Sequence, residues 1–164
     1  MIDNNGLFKC QEMFRYGCIF SECADMANSK LAHDTADLGF YTSPAVVNSA
    51  FSCEVFLKSL LDYYDQKYKK THKLNLLFDS LPKDIQEWVQ HYVLSHCGQW
   101  YFPMMANARY LDLCSNAFEE WRYGYEIKGC MEIQIGFLLS FRNALREKCC
   151  QLFFKKQWNQ FVNP

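Results

Sequence analysis

The feature that most constrains the fold is a single apolar stripe between residues 46 and 64, whose members are three and four positions apart. This spacing matches the repeat of an α-helix and predicts a helix with one buried face. The stripe consists of Val46, Ala50, Cys53, Leu57, Leu60, Leu61 and Tyr64. Because Ser43 is a suitable N-cap and Pro44 suits the first helical position, we expect this helix to begin there and to end near Gln66.

The same spacing recurs elsewhere, and no segment shows the sustained period-two alternation that is typical of strands. We expect five more helices, over about Phe8–Asn28, Leu74–Leu81, Asp84–Cys97, Met104–Tyr123 and Cys130–Phe154. The candidate buried residues of the first helix are Phe8, Met13, Cys18 and Ile19. Residues 29–43 lose the periodicity and indicate a connection. The sequence therefore predicts an all-α fold, an antiparallel bundle of about five or six helices in which residues 1–164 form a single domain.

Composition limits the classes of partner. The net charge is only −1, so any nucleic-acid site must be local. An odd number of cysteines, nine, with no CxxC pair, disfavours a disulfide framework. We expect neither a signal peptide nor a membrane segment, and hence a cytoplasmic location, because charged residues interrupt every long apolar stretch. His91 and His96 do not share a helical face, and His96 and Cys97 have no matching second ligand pair, so we expect no metal, and we identify no cofactor motif.

Four polar groups are candidates for function. Glu54 and Lys58 are four apart on the second helix, where they form either a helix-stabilising salt bridge or a partly buried charge pair at a groove. His72 stands beside a basic segment, Lys67–Lys73, and is either a solvated or capping residue or a catalytic one. Arg122, Tyr123 and Glu126 form either a packed corner or a site where the arginine stacks on a base or holds a phosphate.

The fourth group lies on the last helix, where Arg142 and Arg146 are one turn apart, as are Asn143 and Glu147. The two arginines form either a basic spot for a phosphate or an acidic partner, or part of a solvated face. Aromatic residues near the chain's loops and end (Trp100, Tyr101, Phe102, Trp158 and Phe161) either form an interface or cap the bundle.

Three of these motifs, in this order, resemble those of HEPN proteins, a family of helical nucleotide-binding domains. The first is an alanine, aromatic, glutamate, leucine and lysine run, matched by Ala50, Phe51, Glu54, Leu57 and Lys58. The second is a His-x-Leu that opens a leucine-rich helix, matched by His72, Leu74, Leu77, Phe78 and Leu81. The third is an Arg-Tyr-x-Tyr-Glu segment, matched by Arg122, Tyr123, Tyr125 and Glu126.

The resemblance implies an antiparallel helical bundle, usually homodimeric, that acts as a ribonuclease toxin, a defence effector, or a nucleotide- or RNA-binding module in a toxin–antitoxin or defence context. In active members an arginine precedes a histidine by four to six residues, and two such motifs cleave RNA without metal. None of the five arginines here has a histidine at that spacing. The nearest equivalent is Arg142 and Asn143 followed by Glu147, whose carboxyl group is a poor acid at neutral pH.

The leading hypothesis is therefore a HEPN-like protein with a degenerate ribonuclease motif. It would dimerise and present Arg122, Arg142 and Arg146 to a nucleotide, RNA or partner protein. One alternative is an active metal-independent ribonuclease that uses Arg142, Asn143 and Glu147, or that brings in His72 from another helix. A second alternative is a non-catalytic helical scaffold for a partner protein.

Overall fold

Eight α-helices account for most of the residues that the structure, a computed structural model, describes, namely 2–33, 38–96, 104–124, 126 and 132–162. They are α1 (Asn4–His33), α2 (Leu38–Tyr63), α3 (Leu74–Asp79), α4 (Lys83–His96), α5 (Met104–Cys114), α6 (Ala117–Glu120), α7 (Ile135–Phe154) and α8 (Trp158–Val162). A 3₁₀ turn, Trp121–Tyr123, follows α6. Since these residues contain no strand, the prediction of an all-α bundle is confirmed.

The longest two helices, α1 and α2, form an antiparallel pair. Lys9 contacts Asp62 near one end of the pair, and Ser52 Oγ donates to the Gly17 carbonyl further along it at 2.8 Å. The α-carbon of Gly17 has no side chain, and a Cβ built there would lie only 2.4 Å from the Phe56 ring. Glycine is therefore required where the Phe56 ring of α2 packs on the backbone of α1.

Helix α7 packs across this pair, antiparallel to α1. Arg142 bonds to Ser21, whereas Phe153, eleven residues later, accepts from Gln11 near the start of α1. Helix α3 packs on α2 and α5, and α4 and α5 pack on each other and on α7. One hydrophobic cluster receives buried side chains from each of α1 to α7.

The predicted stripe on α2 is confirmed, because all its members are buried except Tyr64, which is half-buried. The predicted buried face of α1 is partly wrong, because Phe8 and Ile19 are exposed. The face that packs on α2 and α7 consists of Cys10, Phe14, Gly17, Ser21 and Ala24. Because that face is built largely from small residues, hydrophobicity alone did not distinguish it from the outer face.

The helix boundaries that differ most from the prediction are the end of α1 and the starts of α2 and α7. Helix α2 begins at Leu38 and contains Pro44 in its interior, so Ser43 is not its N-cap, and α1 continues to His33. Pro44 is the seventh residue of α2, so its ring removes one backbone hydrogen bond and crowds the carbonyl four residues earlier, a cost of about 3 kcal/mol that tertiary packing must offset. The last long helix starts at Ile135 rather than near Cys130, which lies outside the described residues.

The predicted helix over Met104–Tyr123 is interrupted at Ser115. The Ser115 carbonyl accepts a hydrogen bond from the Leu74 N–H at 3.2 Å, and its hydroxyl oxygen accepts one from the Asn75 N–H at 3.3 Å. Both bonds complete the start of α3. The residue that follows α5 therefore supplies the polar partners that the first turn of α3 lacks.

Candidate functional site

The buried carboxylate of Glu54 is the centre of the candidate site. This residue is 2 % exposed and lies in the middle of α2. Its Oε1 accepts from Lys58 Nζ at 2.7 Å, which confirms the predicted ion pair, and both of its oxygens lie 3.0 Å from His72 Nδ1. A buried carboxylate requires such partners, because its desolvation is otherwise unfavourable.

The contact with Glu54 fixes the orientation of the His72 ring. A carboxylate only accepts hydrogen bonds, so His72 Nδ1 carries a hydrogen, and in the neutral ring Nε2 carries the lone pair. The His72 side chain is 46 % exposed. The structure therefore presents an oriented imidazole to solvent, held by a carboxylate from another element.

A single ring, Phe118 of α6, connects this group to the Arg122 motif. The His72 ring centroid lies 5.4 Å from that of Phe118, and the Arg122 guanidinium carbon lies 4.3 Å from the same centroid. Phe51 of α2 stacks on Phe118 at 4.8 Å. The tertiary fold thus brings together the three motifs that carry the HEPN resemblance.

Arg122 is exposed and also lies 5.3 Å from the Tyr123 ring. Within the described part of the chain it forms no ion pair. Arg122 forms no ion pair with Glu126, because the 3₁₀ turn ends at Tyr123 and the two residues do not share a helix. The guanidinium is therefore supported by two rings and is free to accept an anion.

Residues 67–73, which we call the lysine-rich loop, run along α2 as irregular backbone. Tyr68 in this loop donates to Asp62 at 3.1 Å, and His72 is held by Glu54. These two anchors on α2 are eight residues apart, about 12 Å along a helix. The four lysines of the loop, Lys67, Lys69, Lys70 and Lys73, are all exposed, as expected for a solvated basic segment.

Arg142, the first of the predicted catalytic residues, is 2 % exposed and lies between α1, α2 and α7. Its guanidinium donates to Asp25 Oδ1 at 2.6 Å, and to the Ser21 carbonyl and Ser49 Oγ at 3.3 Å each. Its Nε is buried without a partner among the described residues. These contacts make Arg142 a connector of three helices, with its cationic end turned away from solvent.

The polar side chains next to Arg142 on α7 also form hydrogen bonds within the protein. Arg146 donates to Ser21 Oγ and to Asn143 Oδ1, and burial, followed by repulsion from Arg142, lowers the pKa of its guanidinium. Glu147 accepts hydrogen bonds from the Gln151 side-chain amide at 2.8 Å and from the backbone N–H of Trp158 at 3.0 Å. Arg142, Asn143, Arg146 and Glu147 are therefore close together, but they bond mainly to their own bundle.

The cysteines behave as small core residues. Of the seven described, five are buried, Cys18 is half-buried and Cys23 is exposed. All seven are free thiols, and Cys97 and Cys130 lie outside the described residues. Burial raises the pKa of Cys114 and of Cys18 to about 12 each. In the described part of the chain no group of three or more His, Cys, Asp or Glu side chains is placed to hold a metal ion.

The predictions for the aromatic residues are tested only in part. Trp158 and Phe161 pack around Phe14 and close one end of the bundle, whereas Trp100, Tyr101 and Phe102 lie outside the described residues. Among the described helices, none has the length and apolar character needed to cross a membrane. Two residues of these sites, Phe118 and Asp25, were not predicted from the sequence. Phe118 carried a signal, since it lies four residues before Arg122, one helical turn away.

Comparison of the chain with protein-family models, with curated proteins and with solved structures found no match. The resemblance to HEPN proteins therefore rests on the three sequence motifs alone.

Proposed function

We propose that this chain is a HEPN-like protein that acts by binding RNA, and that phosphates contact a surface formed by Lys58, His72, Arg122 and the lysine-rich loop. The observation that carries the proposal is the Glu54 carboxylate, which holds His72, and with it the end of the loop, against the ring that supports Arg122. Ordered cations beside aromatic rings are the elements that single-stranded nucleic acid requires.

The charge balance around this surface sets the expected affinity. Glu119 and Glu120 are exposed beside Arg122, so the positive potential is confined to the arginine and the lysine-rich loop. We therefore expect modest affinity that falls steeply with salt, since exposed charges are screened within about 10 Å at 0.1 M salt.

The test is the salt dependence of binding, measured by fluorescence anisotropy with a single-stranded RNA oligonucleotide. Each lost phosphate contact lowers the slope of log K against log salt by about 0.7 for a single strand. We expect that decrease for Arg122→Ala and for Lys70→Ala, and no decrease for the control Lys30→Ala at the end of α1. Unchanged binding in Arg122→Ala would exclude this surface.

A second function, metal-independent RNA cleavage, is favoured by the orientation of His72. The Nε2 lone pair could remove the proton of a ribose 2′-hydroxyl, whose oxygen then attacks phosphorus and releases the 5′-oxygen, which takes a proton from water. Arg122 would neutralise the phosphoryl oxygens. This arrangement differs from the Arg142, Asn143 and Glu147 ribonuclease expected from the sequence, whose side chains bond mainly within the bundle.

Incubation of labelled RNA with chelator separates these possibilities. Cleavage lost in both His72→Asn and Glu54→Gln but retained in Arg142→Met would assign activity to the His72 site. Cleavage lost in Glu147→Ala and in Arg142→Met, with both variants folded, would assign it to the last helix. Intact RNA with every variant leaves binding as the function.

Homodimerisation, which the resemblance implies, has support on the outer face of α1. Phe8, Ile19 and Met26 are 62 %, 55 % and 70 % exposed, and their spacing of eleven and seven residues places them on one line of the helix. A helix of this length spans about 45 Å, enough for a standard interface. Light scattering should show a dimer that Ile19→Asp dissociates, whereas Leu76→Asp on α3 does not.

A further inference from the structure

Three rings stack along one face of α4. Trp88, Tyr92 and His96 follow one another at intervals of four residues. Trp88 and Tyr92 have centroids 5.3 Å apart, and Tyr92 and His96 have centroids 3.9 Å apart with an angle of 9° between their planes. The centroids at the two ends of this row are therefore separated by no more than about 9 Å. Helical spacing thus produces a short, ordered row of stacked rings.

The row lines a surface groove of about 820 Å³, which α7, α8 and the turn between them complete with Glu147, Gln151, Gln157, Trp158 and Asn159. The indole of Trp158 is held by its neighbours. The guanidinium carbon of Arg146 lies 4.2 Å from its ring centroid, and the Phe161 ring stacks on it at 5.7 Å. The position of this ring therefore does not depend on a ligand.

The charges at the groove favour neither an anionic nor a cationic ligand. Its described lining contains one carboxylate, that of Glu147, and no lysine or arginine, so an anion would be repelled. Lys148 Nζ lies 4.6 Å from the Trp88 centroid, and Arg146 lies against Trp158. Cations of the protein therefore already occupy ring faces that a cationic ligand would need. The groove suits an uncharged ligand.

The polar groups of the groove require a ligand that accepts hydrogen bonds. The indole N–H groups of Trp88 and Trp158 can only donate, and neither bonds to a described residue. The side-chain amides of Gln157 and Asn159 are also without a partner among the described residues. By contrast, the Glu147 carboxylate already accepts two hydrogen bonds. Donors that need a partner thus outnumber the acceptors that the groove has left, and carbonyl oxygens would satisfy them.

A polyproline II segment has the chemistry that the groove requires. It has no internal hydrogen bonds, so its carbonyl oxygens are available, and proline brings no N–H that would need an acceptor. One three-residue turn of it rises about 9 Å, which matches the length of the ring row. Because the segment is already ordered before it binds, grooves lined by aromatic rings are its general receptors. A sugar fits less well, since each of its hydroxyl groups brings a donor.

We propose that the groove between α4 and α8 binds a proline-rich segment of a partner protein. The proline rings would pack against Tyr92 and His96, and the carbonyl oxygens would accept from the two indole N–H groups and from the side-chain amides. The segment belongs to another protein, because the four prolines of this sequence are far apart. The inference does not depend on the proposed RNA-binding surface around Arg122.

The experiment is titration of the ¹⁵N-labelled full chain with deca-proline and with a library of ten-residue PxxP peptides, followed through the indole N–H resonances in NMR spectra. Trp88→Phe and Trp158→Phe identify the two resonances of the groove. We expect saturable shifts of both, and no shift of the Trp121 resonance, because that residue does not line the groove. A glycine–serine peptide of the same length is the control ligand and should shift none of them.

Substitutions locate the binding surface. Tyr92→Ala should weaken peptide binding by about five-fold or more, the equivalent of one aromatic contact of about 1 kcal/mol. Because Tyr92 is half-buried, its fold is checked by circular dichroism, and His96→Ala, at an exposed position, should weaken binding without affecting the fold. The matched control is His91→Ala, an exposed histidine of α4 that does not line the groove, and it should bind unchanged.

Three results overturn the proposal. The first is the absence of shifts with both deca-proline and the PxxP library. The second is an equal response to the glycine–serine peptide, since the groove would then not select the polyproline II conformation. The third is saturable binding of AMP or of maltose at the same indole resonances without binding of peptide. Arg122→Ala should leave peptide binding unchanged, so failure of the RNA-binding surface and failure of the groove are separable.

Discussion

Replacement of Arg142 tests whether this side chain is structural or functional. Arg142→Ala removes a buried side chain that is comparable in length to methionine, and such truncations cost about 2–5 kcal/mol. Ser49 Oγ also loses its partner, but Asp25 is half-exposed and can be solvated. Loss of a desolvated charge, whose Nε has no partner among the described residues, offsets part of this cost. We expect a net destabilisation of about 2 kcal/mol.

Two further variants of the Arg142–Asp25 ion pair should differ in the free energy of unfolding. Asp25→Ala leaves the buried guanidinium without its carboxylate and should cost about 3 kcal/mol, the lower end for a broken buried pair. Arg142→Met keeps the volume and removes the charge, so it should lie within about 1.5 kcal/mol of the unchanged protein.

Urea unfolding followed by circular dichroism measures these differences, and the m-value should stay constant. The exposed Arg122→Ala is the control and should change stability by no more than about 0.5 kcal/mol. If Arg142→Ala were as stable as the control while RNA binding or cleavage disappeared, Arg142 would contact the ligand and its structural assignment would be refuted.

Three further predictions concern packing, titration and reactivity. Gly17→Ala should destabilise the protein by about 1–2 kcal/mol, because overpacking against Phe56 outweighs the gain in helix propensity, whereas Gly136→Ala, with open space around it, should be neutral or stabilising. The contribution of the buried thiols to stability should be constant below about pH 9 and fall above it by about 1.4 kcal/mol per pH unit for each deeply buried thiol, because the folded state retains protons that the unfolded state releases. These thiols, whose pKa burial raises, are Cys53, Cys114 and Cys149. Cys23→Ser should remove one rapidly reacting thiol in Ellman's assay, whereas Cys53→Ser should leave the rapid phase unchanged.

Each of these three predictions would be contradicted by a specific result. Equal stability of the two glycine variants would mean that α1 and α2 do not approach at Gly17. A urea midpoint that rises between pH 8 and pH 10 would have the wrong sign for buried neutral thiols. A rapid phase that survives Cys23→Ser unchanged would place Cys23 inside the fold.

The sequence by itself determined the helical class and most helix positions, because apolar spacing of three and four residues records which face of a helix is buried. It also determined the ion pair of Glu54 and Lys58, since residues four apart on a helix are neighbours whatever surrounds them. The solvated character of the lysine-rich loop followed from its charge.

Only the tertiary structure decided what residues distant in sequence do together. His72 reaches Glu54 because a loop folds back along α2, and the helix is interrupted after Cys114, where Ser115 completes the start of α3. Arg142 is buried although arginine is usually exposed, because α1 supplies Asp25 and the Ser21 carbonyl. Local spacing carries no information about such partners, so their contacts arise only when the helices pack.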